Sequence, residues 1–255
     1  MRLRSLSRGF SAVVMVALAV NFAFLLAIGG AFQASRQADD RRDTALRLVD
    51  GLRHETELLG RLVRAYTATA DAHYLMVYYD ILAVRAGEKP APAGADSALV
   101  WEHVVARRTR YQPAQGAQPE SLQRRVQRLD FGADEQRAVQ AVLEATEALR
   151  QTEQIAFAAT QGLYDTVNRS FASERAPAPD YARALVHSRE YETAKARLAD
   201  TVATLERLTD TRTAQEVTRT SDRMRNFVDA AKAVDLLMVA LVLAALLLIQ
   251  RRLLR

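Results

Sequence analysis

Two long polar-to-apolar rhythms dominate the chain. Ala45, Leu48, Leu52, Glu55, Leu59, Leu62, Tyr66 and Thr69 step by three and four in turn, and so do Val139, Val142, Thr146, Leu149, Glu153, Ala156, Thr160, Leu163 and Val167. This spacing puts one stripe of side chains along one face of a helix, packed on its neighbours at a shallow angle. Each stripe carries one acid, Glu55 in the first and Glu153 in the second. A third stripe, Leu198, Val202, Leu205 and Leu208, belongs to a helix expected from about Tyr181 onward.

Between the first two stripes the pattern shortens. Asp71 reads as an N-cap, and the helix after it, His73 to Ala86, ends at Gly87 with Pro90 and Pro92 beyond, a glycine stop reinforced by proline. Ser97 to Arg108 and Ser121 to Leu129 read as two short helices separated by the loop YQPAQGAQPE. The second long helix begins after Gly132 and is expected to stop before Ser173, in the stretch SERAPAPD. No strand-like alternation of useful length occurs.

The ends of the chain are different in kind. Phe10 to Phe32 is uncharged and long enough to cross the roughly 30 Å hydrocarbon core of a bilayer as a helix. A second apolar run, unbroken from Leu236 to Ile249, follows Lys232 and Asp235, which suit the interface. Arg2, Arg4 and Arg8 precede the first run, and Arg251, Arg252 and Arg255 follow the second, which places both termini in the cytoplasm by the positive-inside rule. The first run could also be read as a signal peptide cleaved near Gly29-Gly30-Ala31, but it exceeds the 7–15 residues of a signal core.

These elements divide the chain into a cytoplasmic N-terminus (1–9), transmembrane helix 1 (10–32), an outer helical domain (33–233), transmembrane helix 2 (234–249) and the start of a cytoplasmic linker (250–255). The expected fold is all-α: an elongated up-down-up-down helical bundle with a fragmented second leg, between two transmembrane helices. At about 1.5 Å of rise per residue, 33–71 climbs on the order of 60 Å from the membrane. Tyr66, Tyr74, Tyr78 and Tyr79 then lie near the membrane-distal end, at heights overlapping Tyr164 and Tyr191.

Charge narrows the function. The six terminal arginines less Asp235 account for the whole net charge of +5, so residues 33–234 are neutral in sum and no nucleic-acid partner is expected. With no cysteine, disulfides, thiolate catalysis and cysteine-held metals are excluded. The four histidines, His54, His73, His103 and His187, lack ligand spacing, and there is no P-loop, G-x-S-x-G or dinucleotide fingerprint. No cofactor is expected and the residues do not read as an enzyme. Glu55 and Glu153 read as register-setting or arginine-paired seam groups rather than a catalytic pair.

The tyrosine cluster admits two readings: core bulk with wet or bonded hydroxyls, or the wall of a pocket for a small organic acid or amino-acid-like ligand. For the second, the candidate ligand-binding residues are Arg64, Tyr66, Tyr74, Tyr78, Arg85, Trp101 and Tyr191, the arginines supplying forks that match a carboxylate. Trp101 also fits a plain core anchor, with Glu102 paired to a nearby arginine.

The stretches RLVRAYTATADAHYLMVYYDILAVRAGEKPAP, VWEHV, LRQTEQIAFAATQGLYD and ALVHSREYETAKARLADTVATLERLTDTRT resemble, in this order over most of Leu59 to Thr213, the periplasmic helical sensor region of bacterial transmembrane signalling proteins. Such regions occur in methyl-accepting chemotaxis receptors, sensor or hybrid histidine kinases and diguanylate cyclases. Relatives carry T-G-D-P-x-[YF] where this chain has Thr69-Ala70-Asp71-Ala72-His73-Tyr74, so Asp71 and Tyr74 match while the glycine and proline do not. The resemblance implies a periplasmic four-helix-type sensor in the bacterial inner membrane, working as a homodimer, sensing a small ligand or a periplasmic binding protein, and followed by a HAMP linker that would start near Arg255. The rival expectation is a membrane-tethered structural or adaptor protein that docks a partner and has no small-molecule ligand. Under a third, a kinase or cyclase module of a parent protein supplies an output lying outside these residues.

Overall fold

The computed structural model describes residues 2–93 and 97–253. The chain is mostly α-helical: α1 (Arg2–Thr69), α2 (Ala72–Ala86), α3 (Ser97–Arg107), α4 (Leu122–Arg128), α5 (Ala133–Gln161), α6 (Pro179–Val186) and α7 (Arg189–Leu253), with strands β1 (Tyr164–Asp165) and β2 (Ser170–Phe171) between α5 and α6. It divides into two compact units, one of Met1–Arg42 with Arg212–Arg255 and one of Asp43–Thr211.

The first unit consists of the N-terminal part of α1 and the C-terminal part of α7. Both helices are long and apolar enough to cross a membrane, and the protein itself buries only 6% of the apolar stretch in α1 and 0% of that in α7. Phe22, Leu25, Leu26, Leu236, Leu237 and Leu247 all stand exposed. Within this unit Asn21 Nδ2 donates to Asp235 Oδ1 over 2.6 Å, Arg41 and Glu216 approach to 3.7 Å, and Ala31 and Ala38 are buried.

The second unit holds the hydrophobic core. The seams expected from periodicity face inward: Ala45, Leu52, Leu59, Leu62 and Tyr66 of α1, Val139, Val142, Leu149 and Ala156 of α5, and Leu198, Val202 and Leu205 of α7 are buried together with Val77, Tyr78, Ile81 and Val84 of α2. Polar links cross between the helices. Arg53 approaches Glu206 to 3.6 Å, Arg64 pairs with Glu192, Arg61 pairs with Glu102, and Gln161 Nε2 donates to the Tyr66 hydroxyl over 2.8 Å.

Local chemistry sets the ends of the short helices. Asp71 caps α2, its Oδ1 accepting from the His73 N–H at 3.0 Å, while Arg108 Nη1 sits 2.7 Å from its other oxygen. Arg108 and the His73 N–H hold the Asp71 carboxyl below the ordinary range. Gly87 stops α2 with φ of 78°, where a side chain is strained, and its N–H returns to Ala83 and Val84. A Cβ on Gly87 would lie 2.5 Å from the Ser121 nitrogen, so glycine is what lets α2 end against the start of α4. Ser121 in turn caps α4, and Glu135 Oε2 accepts from the Gly132 N–H at 2.7 Å to open α5.

Two expectations about helix length are corrected. The second long helix does not reach Ser173: it ends at Gln161, with Gly162 at φ 76° and its N–H on Ala158 and Ala159. The chain then turns into a two-stranded antiparallel hairpin, Tyr164 opposite Phe171 and Asp165 opposite Ser170. Asp165 Oδ1 fixes the turn by accepting from the Val167 and Asn168 N–H groups. Consequently Leu163 and Val167 are not seam residues, and Val167 is 87% exposed. The third helix is likewise broken: α6 ends at Val186, and Ser188 Oγ accepts from the Tyr191 N–H at 3.1 Å to start α7 afresh at Arg189.

Candidate functional site: two buried charged layers in the second unit

Seam acids drive the chemistry of this unit, because a carboxylate turned into an apolar stripe must find donors there or take up a proton. Glu153 finds two phenols. Tyr78 Oη donates to its Oε2 over 2.5 Å and Tyr191 Oη to its Oε1 over 2.7 Å, so one carboxylate joins α2, α5 and α7. Burial pushes the Glu153 carboxyl upward, against which the two phenol bonds and the Lys195 charge act. The same burial, with the carboxylate beside them, raises both phenols far above the usual tyrosine range. The sequence left this acid as either register-setting or arginine-paired; in the structure tyrosines are its partners, and a hydroxyl donor needs no countercharge to be desolvated with it.

Aromatic edges surround the layer. Phe157 receives Tyr78 at 5.0 Å and Tyr66 at 5.4 Å between ring centroids, both edge-on, and Tyr79 lies edge-on to Tyr78 at 5.3 Å. Tyr66, Tyr78, Tyr79 and Tyr191 are thus brought together, as the heights along the helices imply. Tyr74 sits apart, beside His73, and Tyr164 packs between Phe171 and Tyr181. Tyr66, Tyr78 and Tyr191 are buried in the hydrophobic core.

Glu55 takes the other solution. Arg85 Nε donates to its Oε2 over 2.9 Å, and Arg85 Nη2 donates to Leu52 O at 3.2 Å and Thr56 Oγ1 at 3.0 Å. With side-chain exposures of 5% and 9%, this is a buried ion pair joining α2 to α1. Arg85 therefore belongs to Glu55, whereas Arg64 lies nearer the surface with Glu192 and close enough to act on Tyr191. Trp101 is fully buried on α3 against Tyr111, 5.1 Å between rings, and its indole N–H has no acceptor.

Beside the Glu55–Arg85 pair lies a cavity of about 40 Å³. Arg47 and Leu52 of α1, Glu55, Arg85, and Leu122 and Arg125 of α4 line it. Arg125 is the residue that reading the sequence missed. The signal was present, since Leu122 and Leu129 stand three before and four after it and so put Arg125 on the inward side of α4. Its Nε is buried without a hydrogen-bond partner, and desolvation pulls its guanidinium below the ordinary arginine range.

No group of histidine, cysteine or carboxylate side chains among the described residues could hold a metal ion. No known family, curated protein or solved structure matches this chain. What stands established is a mostly α-helical chain with, among the described residues, two helices long and apolar enough to span a membrane.

Proposed function

We propose that this chain is the extracytoplasmic input module of a bacterial transmembrane receptor: a homodimeric, up-down-up-down helical bundle with a fragmented second leg, held in the inner membrane by two spans. The observation that carries this reading is the pair of apolar helical stretches that the protein leaves almost wholly uncovered, 6% and 0% buried, at the outer parts of α1 and α7. Side chains such as Phe22, Leu25, Leu236 and Leu247 need a hydrocarbon solvent. The resemblance of Leu59 to Thr213 to periplasmic sensor regions supports the rest of the reading. A ligand that binds one arrangement of the helices better than another by about 1–3 kcal/mol would shift the balance between them. The α7 helix is the route by which that shift, of about 1–2 Å, reaches a cytoplasmic output.

Two experiments test this. Alkaline phosphatase fused after Glu120 is expected to be active and a fluorescent protein fused after Arg255 to fold in the cytoplasm. The chain joined to a HAMP and histidine-kinase output is expected to change reporter expression when the periplasmic medium changes. An inactive phosphatase fusion, with the same protein accessible only from the cytosol, rules out the topology.

A second reading, a tethered adaptor that docks a protein, draws on the hairpin, where Val167 is 87% and Phe171 64% exposed. It predicts that Val167→Ser with Phe171→Ser abolishes partner capture on the cell surface while leaving any response to small solutes intact.

A further inference from the structure

The arginine-lined cavity has an unusual balance of charge. Arg47, Arg85 and Arg125 line it against the single carboxylate of Glu55, an excess of two positive charges. Glu55 is already engaged by Arg85, which is further held by Leu52 O and Thr56 Oγ1. Arg125 has no such engagement at its buried Nε. Glu55 and Glu120 are the acids whose charge acts on it, and Glu120 pairs with Arg128 at 3.1 Å. A guanidinium taken partly out of water without a bidentate partner is an incomplete arrangement, since buried cations are normally paired.

The local fold holds this arrangement in place. Gly87 permits α2 to end against Ser121, and Ser121 starts α4, so Arg85 lies two residues before that contact and Arg125 four residues after it. The two guanidinium groups are therefore positioned by helix ends in direct contact. Arg85 is buried and Arg47 exposed, so the lining of the cavity includes both core and surface residues.

Size selects the guest. One water needs about 10–15 Å³ of such space, so a cavity of about 40 Å³ holds about three or four waters or one small planar oxyanion. It has no room for a sugar, a nucleotide or an aromatic acid. Planarity suits the site because a guanidinium fork meets two oxygens of one group.

We infer that the Arg47–Arg85–Arg125 cavity is a binding site for a carboxylate-sized planar anion, either a free small acid such as formate or acetate or the terminal carboxylate of a longer acid whose tail leaves past Arg47. The site rests on the reading of this unit as a ligand-binding input module, and it supplies the ligand class for it. Arg125 supplies the fork, Arg85 the inner positive wall fixed by Glu55, and Arg47 the charge at the mouth.

The test uses the full chain in detergent micelles or nanodiscs, titrated by calorimetry and by thermal midpoint with formate, acetate and succinate, with chloride at matched ionic strength as the reference. Formate and acetate are expected to raise the midpoint by several degrees at millimolar concentration, where chloride does not. Succinate binding as well identifies the terminal-carboxylate form; its failure identifies the free small acid. Arg125→Gln is expected to weaken binding at least tenfold, and Arg47→Gln, at an exposed position that carries no risk to folding, by several-fold. Arg183→Gln, on α6 and outside the cavity, is expected to leave binding unchanged. The inference is overturned if no carboxylate exceeds chloride, or if Arg125→Gln and Arg47→Gln both bind as the parent does. A reporter that responds to a different stimulus while the chain binds no carboxylate removes this site and leaves the receptor reading. Binding with no response removes the receptor reading and leaves the site.

Discussion

Replacing Tyr78 with phenylalanine isolates one hydrogen bond with little else changed. The ring keeps its edge contacts with Phe157 and Tyr79, while Glu153 loses the donor that reaches its Oε2 at 2.5 Å. A hydrogen bond to a charged group is worth about 1.5–3 kcal/mol, so Tyr78→Phe is expected to cost about 2 kcal/mol, and Tyr191→Phe a similar amount. For a domain of this size each kcal/mol lowers the thermal midpoint by about 2–4 °C. The double variant should cost less than the sum. With neither phenol present, the buried carboxyl takes a proton instead of remaining charged, and protonation caps the penalty.

The same logic fixes a pH dependence. Burial raises the folded-state pKa of Glu153, so the folded chain holds that proton more tightly than the unfolded chain. Stability from this group is therefore greatest at low pH, falls as pH rises past the unfolded carboxyl value, and levels off above the folded one. The phenol bonds act to lower the folded value, so deleting either moves it up and deepens the fall. Thermal or urea unfolding of parent and variants at pH 5 and pH 8, followed by helical circular dichroism, reads both effects, and unrelated titrations cancel in the comparison. The loss in Tyr78→Phe is expected to be larger at pH 8 than at pH 5. Equal losses at the two pH values, or strict additivity in the double variant, would refute the view of Glu153 as a buried carboxylate held by two phenols.

Three further outcomes follow from the other contacts. Glu55→Leu or Arg85→Met alone leaves a buried charge unpaired and is expected to cost about 3–5 kcal/mol, while the double variant recovers most of that, measured by the same unfolding curves. Gly162→Ala forces a side chain to φ of 76° with its Cβ 2.3 Å from the Arg175 carbonyl oxygen, and is expected to cost about 2 kcal/mol or more; a loss within experimental error shows that the hairpin moves freely off the end of α5. Asn21→Leu removes the 2.6 Å bond to Asp235 and is expected to weaken pairing of α1 with α7 in bilayers by about 0.6–1.7 kcal/mol, read by the rate of disulfide crosslinking between cysteines introduced at neighbouring positions.

Much of the helical content was legible because it is local. Asp71, Gly87 and Gly132 act where they stand, and the three-four spacing of Ala45 to Tyr66 and Val139 to Thr160 needs only the pitch of the helix. The same spacing misled at Leu163 and Val167, which continue the stripe by coincidence after Gly162 has already turned the chain. The break at Ser188 was hidden because His187, Ser188 and Arg189 sit in a polar run compatible with an unbroken helix; only the serine cap onto Tyr191 reveals it. The partners of the seam acids are non-local. Glu153 meets Tyr78 and Tyr191 across 75 and 38 residues of chain, and no spacing rule reaches that far. Arg125 could be placed on the inward face of α4, but its neighbourhood with Arg85 depends on Gly87 meeting Ser121.

The two charged layers differ in what a ligand could change. At Glu153 both carboxylate oxygens already accept short bonds from phenols locked among aromatic edges, so adding a solute there means breaking a satisfied network. That layer ties α2, α5 and α7 into one arrangement. At Glu55 the cations outnumber the anions, and one guanidinium is left with a buried nitrogen that nothing accepts from. An anion entering there completes a set of bonds between α1, α2 and α4 that is otherwise short of a member, and only an interaction present in one state and absent in the other can shift a population. If the proposed anion binds, the arginine side is therefore where it would favour one arrangement of helices, while Glu153 keeps α2, α5 and α7 tied together.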